Sequence, residues 1–147
     1  MNNILITSAG RRVSLIKAFK ESFVLLKIKS KIFVTDLNII RSPAAYFADE
    51  SFNIGYFNDP DYINDLLKIC LKNNVSIIVP TLDTELIQLA NSKSLFKANG
   101  IDIIISDLKL IKTLRDKITT NTFFNSLKIR TPIIYSKDNM KFPVFLK

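Results

Sequence analysis

The sequence predicts an α/β protein, a doubly wound parallel sheet with helices packed on both faces. Three observations predict it. Short apolar runs rich in β-branched residues recur without polar alternation, which is the pattern of strands covered on both sides. Between them lie stretches with apolar residues three and four apart, the spacing of amphipathic helices. Polar or turn-forming residues punctuate the changeovers.

Ile4-Leu5-Ile6 opens the sheet, and Leu15, Ile16, Phe19, Ser22, Phe23 and Leu26 trace a helix after it. Lys31–Asp36 is the second strand. Ser42–Phe47 is too short for a crossover helix and predicts one capped turn leading to a third strand over Ser51–Phe57. Asp59 is expected to cap, and Pro60 to open, a helix whose inner face carries Ile63, Leu66, Leu67, Cys70 and Leu71. Ser76–Pro80 follows as the fourth strand. A third helix is expected from Asp83 or Thr84, with Leu86, Leu89, Ala90, Leu95 and Phe96 inward and a stop at Asn99-Gly100. Asp102–Ser106 then completes five strands by about residue 107, each crossover right-handed.

Beyond that point Leu108 to about Leu114 reads as one helix, and Asp116 caps another with Phe123, Phe124 and Leu127 inward. Thr131–Tyr135 and Phe142–Lys147 read as strands around a polar turn at Ser136–Lys141. An apolar closing strand needs a partner. The chain is therefore expected to be the front part of something longer.

The 147 residues are 48% hydrophobic, enough for one domain with a core. Lys and Arg number 21 against 13 acidic residues, a formal +8. The excess is spread over helix-surface lysines such as Lys17, Lys20, Lys27, Lys29, Lys68, Lys72, Lys109 and Lys112, which reads as a solvated surface and not a nucleic-acid interface. Histidine is absent, which excludes imidazole bases, Ser-His and Cys-His catalysis, and most zinc sites. The lone Cys70 allows no internal disulfide and reads as core filler in a reducing compartment. No apolar stretch approaches the roughly 18 residues of a membrane span. A cytoplasmic protein with no membrane partner is expected.

Ligands of doubly wound sheets bind beyond the carboxyl ends of the strands. Ser8–Arg12, Asp36–Asn38, Thr81–Glu85 and Ser106-Asp107 should converge there. Small residues with Gly10 would let backbone N–H groups meet an anion, and Arg11 and Arg12 add fixed positive charge. The competing reading is a tight strand-to-helix turn with exposed arginines. The dinucleotide fingerprint G-x-G-x-x-G is not met, because its positions hold Ser8, Gly10 and Val13. With only three glycines the chain has no P-loop either. Asp36 stands where a ribose-binding acid would sit, and Asp83 and Glu85 could receive an amine or magnesium, or cap a helix. No metal-ligating set and no catalytic residue stand out.

Read as a set, "NILITSAGRRVSLIKAFKES", "VTDLNIIRSPAAYFADE", "DPDYINDLLKIC", "IIVPTLDTELIQLA", "RDKITTNTFFNSLKIRTP" and "FPVFLK" resemble the amino-terminal part of carbamoyl-phosphate-synthase-like ATP-grasp proteins. The motifs are S-A-G-R-R after the first strand, A-x-x-x-A-D before the third, P-T-x-D-x-E-L after the fourth, D-K at a late helix and F-P-x-x-x-K at the end. The resemblance implies a Rossmann-like pre-ATP-grasp domain over residues 1–115 and the beginning of an ATP-grasp domain over 116–147. It implies a ligase that joins a carboxylate to an amine through an acyl phosphate, with ATP and Mg2+ held largely by later sequence. Lys117 and Lys147 match positions that contact nucleotide phosphates. Ser8, Gly10, Arg11, Arg12, Asp36, Asp83 and Glu85 become candidates for the substrate pocket. By the same resemblance the fragment is inactive by itself and binds no cofactor tightly, its partners are a small carboxylate or amine and a downstream ATP-grasp domain, and a homodimer is expected. The alternative is a stand-alone α/β module that binds an anionic metabolite.

Overall fold

The computed structural model describes residues 2–145. The chain divides into two compact units, Met1–Leu108 and Lys109–Lys147.

In the first unit β1 (Asn3–Thr7), β2 (Ile32–Asp36), β3 (Glu50–Asn53), β4 (Val75–Pro80) and β5 (Asp102–Ile103) form one parallel sheet in the order β3-β2-β1-β4-β5. Helix α1 (Val13–Leu25) follows β1 and α2 (Tyr62–Lys72) follows β3. Two shorter helices, α3 (Leu86–Asn91) and α4 (Lys93–Ala98), lie between β4 and β5. The link from β2 to β3 holds two 3-10 turns, Ile39–Arg41 and Pro43–Tyr46, where a single turn was expected.

Both faces of the central strand are buried, as its unbroken apolar run requires. Leu5 packs on one side with Phe33, Tyr62, Leu66, Cys70, Ile78, Leu89 and Phe96. Ile4 and Ile6 point to the other, with Ile16, Ile32, Val34 and Ala44. This alternation places α2, α3 and α4 on one layer and α1 with the Pro43–Tyr46 turn on the opposite one. The predicted five-stranded doubly wound sheet is therefore present. Thr7, the last residue of β1, pairs in register with Pro80, the last of β4.

Several boundaries differ from the sequence expectation. The helix expected from Asp83 to Asn99 is broken at Ser92, which closes α3 and begins α4. Asn91 and Ser92 are weak helix formers, so the break falls where propensity is lowest. Asp59 does not cap α2: Asp61 is the residue before the helix, and the Asp59 carboxylate instead accepts from the Tyr56 N–H at 2.7 Å, folding the preceding loop. Leu26 lies past the end of α1 and is 68% exposed, because the helix stops one residue earlier. The expected third and fifth strands are shorter, at Glu50–Asn53 and Asp102–Ile103. The stop at Gly100 holds, with φ +74° and the Ile101 N–H donating back to the Phe96 carbonyl.

The second unit contains all but the first residue of α5 (Leu108–Arg115), and α6 (Lys117–Ser126). Asp116 caps α6 by accepting from the Thr119 N–H at 2.8 Å, and that bond holds its carboxyl below the usual range. Phe123 and Phe124 are half-buried, but Leu127 faces outward. Residues 131–135 and 142–145 form no strand, contrary to expectation, and Leu146 and Lys147 lie outside the described residues. Among the described residues no neighbouring strand offers them a ladder, and an unpaired segment has no bonds to hold it in a sheet.

Candidate functional site

The site begins where β1 runs out. Ser8 and Gly10 both take left-handed backbone, at φ +50° and +49°. For Gly10 this is the reason for a glycine, since a Cβ there would meet only ordinary contacts. Ala9 between them is buried, and its N–H donates to the Thr35 carbonyl at 3.1 Å. The chain thus leaves β1 by hooking onto the end of β2.

The Gly10 N–H does meet an anion, but an internal one. It donates to Oδ2 of Asp36 at 2.7 Å, while the Leu37 N–H donates to Oδ1 at 2.8 Å. The Gly10 carbonyl is also engaged, accepting from the Ser42 hydroxyl and the Ala44 N–H, each at 3.0 Å. The expectation of a free backbone donor at Gly10 is therefore corrected: Asp36, at the end of the adjacent strand, already fills that seat. What the loop offers outward is its guanidinium groups. Arg11 and Arg12 are both exposed, and neither joins an ion pair among the described residues. Arg12 Nη2 reaches the Thr81 carbonyl at 3.5 Å, a long bond.

Glu85 is the second correction. It is fully buried, not lining an open pocket. Its Oε1 accepts from the Thr7 hydroxyl at 2.8 Å and the Leu82 N–H at 3.3 Å; its Oε2 accepts from the Tyr62 hydroxyl at 2.6 Å and the Ser8 hydroxyl at 3.1 Å. Four donors from the chain itself occupy the carboxylate. The bond to Leu82 is the helix-capping role weighed from sequence, realised on the 3-10 turn Asp83–Glu85. Burial, and next the Glu85 charge, push the Tyr62 phenol well above its ordinary value. Alongside, the Thr81 hydroxyl lies within donating distance of the Thr7 and Ser8 carbonyls, at 3.0 and 2.8 Å.

The structure thus joins Ser8, Gly10, Arg12, Asp36 and Glu85 at one end of the sheet, with Arg11 exposed on the same loop. Asp83 is exposed at the start of its turn. Lys117 is exposed as the first residue of α6 in the second unit, and Lys147 lies outside the described residues. Thr7 and Tyr62 are not singled out by the sequence, and Thr81 enters there only as the start of the Thr81–Glu85 segment. The one available signal was a polar residue closing an otherwise apolar strand, in Ile4-Leu5-Ile6-Thr7.

Another motif proves architectural. In Ala44-x-x-x-Ala48-Asp49, Ala44 is buried against the sheet, and the Asp49 carboxylate accepts from the Ile32 N–H at 2.7 Å, latching the turn to the start of β2. Burial pushes the Cys70 thiol up to about 12, in keeping with core filler. Among the described residues no group of three or more potential metal ligands gathers, and no helix is long and apolar enough to cross a membrane.

A family model described as the PylC-like N-terminal domain matches residues 4–104. Carbamoyl-phosphate synthase of Methanobrevibacter smithii is 33% identical over 91 residues, covering 54% of this chain and 25% of that protein. Among solved structures, the biotin carboxylase domain dimer of Hydrogenobacter thermophilus 2-oxoglutarate carboxylase, in complex with MgADP, ADP and bicarbonate, superposes with a TM-score of 0.60 at 21% identity, covering 89% of this chain and 28% of that one. The biotin carboxylase domain of a thermophilic 2-oxoglutarate carboxylase bound to bicarbonate gives 0.60 at 19% identity, with 89% and 29% covered. The chain spans about a quarter of the length of the curated relative and under a third of these structures.

Proposed function

The chain belongs to the PylC-like N-terminal domain family, a pre-ATP-grasp domain of the carbamoyl-phosphate-synthase-like kind, and from that premise we propose that it is the substrate-binding, amino-terminal region of an ATP-dependent carboxylate–amine ligase. In that reaction the γ-phosphoryl of ATP passes to a carboxylate, ADP leaves, and the amine then displaces phosphate from the acyl phosphate. Arg11 and Arg12 hold the carboxylate or the acyl phosphate through their guanidinium groups. Ser8, Gly10, Asp36 and Glu85 shape the loop that presents them, and Asp83 stands at the same end of the sheet to meet an amine. Residues 1–115 form the substrate region, and 116–147 begin the ATP-grasp region, where Lys117 and Lys147 offset nucleotide phosphate charge. ATP and Mg2+ are bound mainly by later sequence, so the 147-residue chain alone turns over no substrate. The ligase works as a cytoplasmic homodimer.

The observation that carries this reading is a pair of exposed arginines on a left-handed loop at the carboxyl end of the central strand, the end where parallel α/β sheets take ligands. The test extends the chain with its natural downstream sequence and measures ADP release over a panel of carboxylates and amines. Release that depends on both substrates, with KM raised about tenfold or more in Arg11→Ala or Arg12→Ala, supports it. Tight binding of an acidic metabolite by the 147-residue chain with no ADP release from the extended one would replace the ligase by a sensing module.

A further inference from the structure

We infer that Glu85 is the positioning residue of the arginine loop: its buried carboxylate ties the start of α2 to the end of β1 and holds Ser8 in the left-handed conformation from which Arg11 and Arg12 are displayed. The inference rests on the reading of that loop as the anion site.

A non-glycine residue at positive φ persists only where its surroundings over-determine it. Ser8 has two such restraints, and both come from the segment that follows β4. Its hydroxyl donates to Glu85 Oε2 at 3.1 Å, and its carbonyl accepts from Thr81 at 2.8 Å. Glu85 in turn cannot follow the loop if the loop moves. Thr7 and the Leu82 N–H hold one carboxylate oxygen, and Tyr62, itself 3% exposed, holds the other at 2.6 Å. No cation pairs with Glu85 among the described residues, so hydroxyl and amide donors alone keep it in place. Tyr62 therefore acts on the arginines through Glu85 and Ser8, although it is buried in the core and belongs to a different helix.

The test is amide hydrogen exchange followed by NMR on the 147-residue chain, for wild type, Glu85→Ala, Tyr62→Phe and Ser8→Ala. Glu85→Ala strips four donors of their acceptor and can unfold the chain, so the two milder variants decide. In both, the Ala9 and Gly10 amides should exchange about tenfold faster than the overall stability loss, read from the amides within β1 and β4, accounts for, the effect of one lost hydrogen bond to a charged group. The Cα and Hα shifts at position 8 should lose their positive-φ signature, which a general loss of stability would leave in place. Unchanged loop exchange in both variants, or acceleration equal across the whole sheet, would overturn the inference. Titration with inorganic phosphate separates it from the reading it rests on: affinity should fall in Tyr62→Phe, whose side chain has no surface to offer the anion. If the loop loosens as expected but phosphate shifts neither arginine in wild type, the Glu85 role stands and the anion site does not.

Discussion

The two compact units carry similar apolar patterns and treat them differently. In the first, each residue of β1 is buried, and the two faces of the sheet fill with Leu5, Leu66, Ile78 and Phe96 on one side and Ile6, Ile16 and Val34 on the other. In the second, α6 buries no residue, and Ile118, Ile133, Phe142 and Phe145 are 65% to 103% exposed. An apolar run specifies a strand only when a ladder and two covering layers are at hand. Within the first unit four neighbouring strands supply them, whereas the segments after α6 have none among the described residues. Composition alone does not separate the two cases.

The contrast is broken most directly by cutting into each unit. Leu66→Ala removes a fully buried side chain and should cost about 2–5 kcal/mol, lowering the melting temperature of the sheet unit. Phe124→Ala, at a half-buried position, should lower the melting temperature of its own unit by less; equal losses would erase the distinction. Next in size, Tyr62→Phe leaves the shape of the core intact but takes one donor from a buried carboxylate, and should cost about 1–3 kcal/mol in chemical denaturation. The smallest effect belongs to the second unit and is local. Because the Asp116 carboxyl titrates below its ordinary value in the folded chain, its stabilisation of α6 is present above the normal carboxylate range and is lost as the pH falls through the lowered value. Faster exchange of the Thr119 amide on acidification, with α1 and α2 unaffected, would check it.

The parallel sheet was legible because its signal is local: Ile4-Leu5-Ile6 and Ile77-Ile78-Val79 each declare a strand buried on both faces. The loop cluster was legible in location, since the rule that ligands sit beyond the strand ends puts Ser8, Asp36 and Glu85 together. Which groups face each other was not legible. The Gly10 N–H could be read as open to an external anion because nothing in Ser8-Ala9-Gly10 shows that Asp36, 26 residues on, turns its carboxylate toward it. Glu85 could be read as a ligand or a cap, yet its three hydroxyl partners come from the end of β1, the loop after it and α2, one of them 78 residues away. Local propensity also misled at Asp59, whose side chain chose the loop before α2 over the helix itself.

The pairing of Thr7 with Pro80 shapes how the site opens. Proline brings no N–H, so β4 cannot offer its neighbours another donor at that step. One residue later the Thr81 hydroxyl takes up the carbonyls of Thr7 and Ser8 that a longer ladder would have claimed. Where the two strands part, the gap is spanned by the reach of one side chain, so the mouth of the site is stitched by a hydroxyl in place of a backbone ladder.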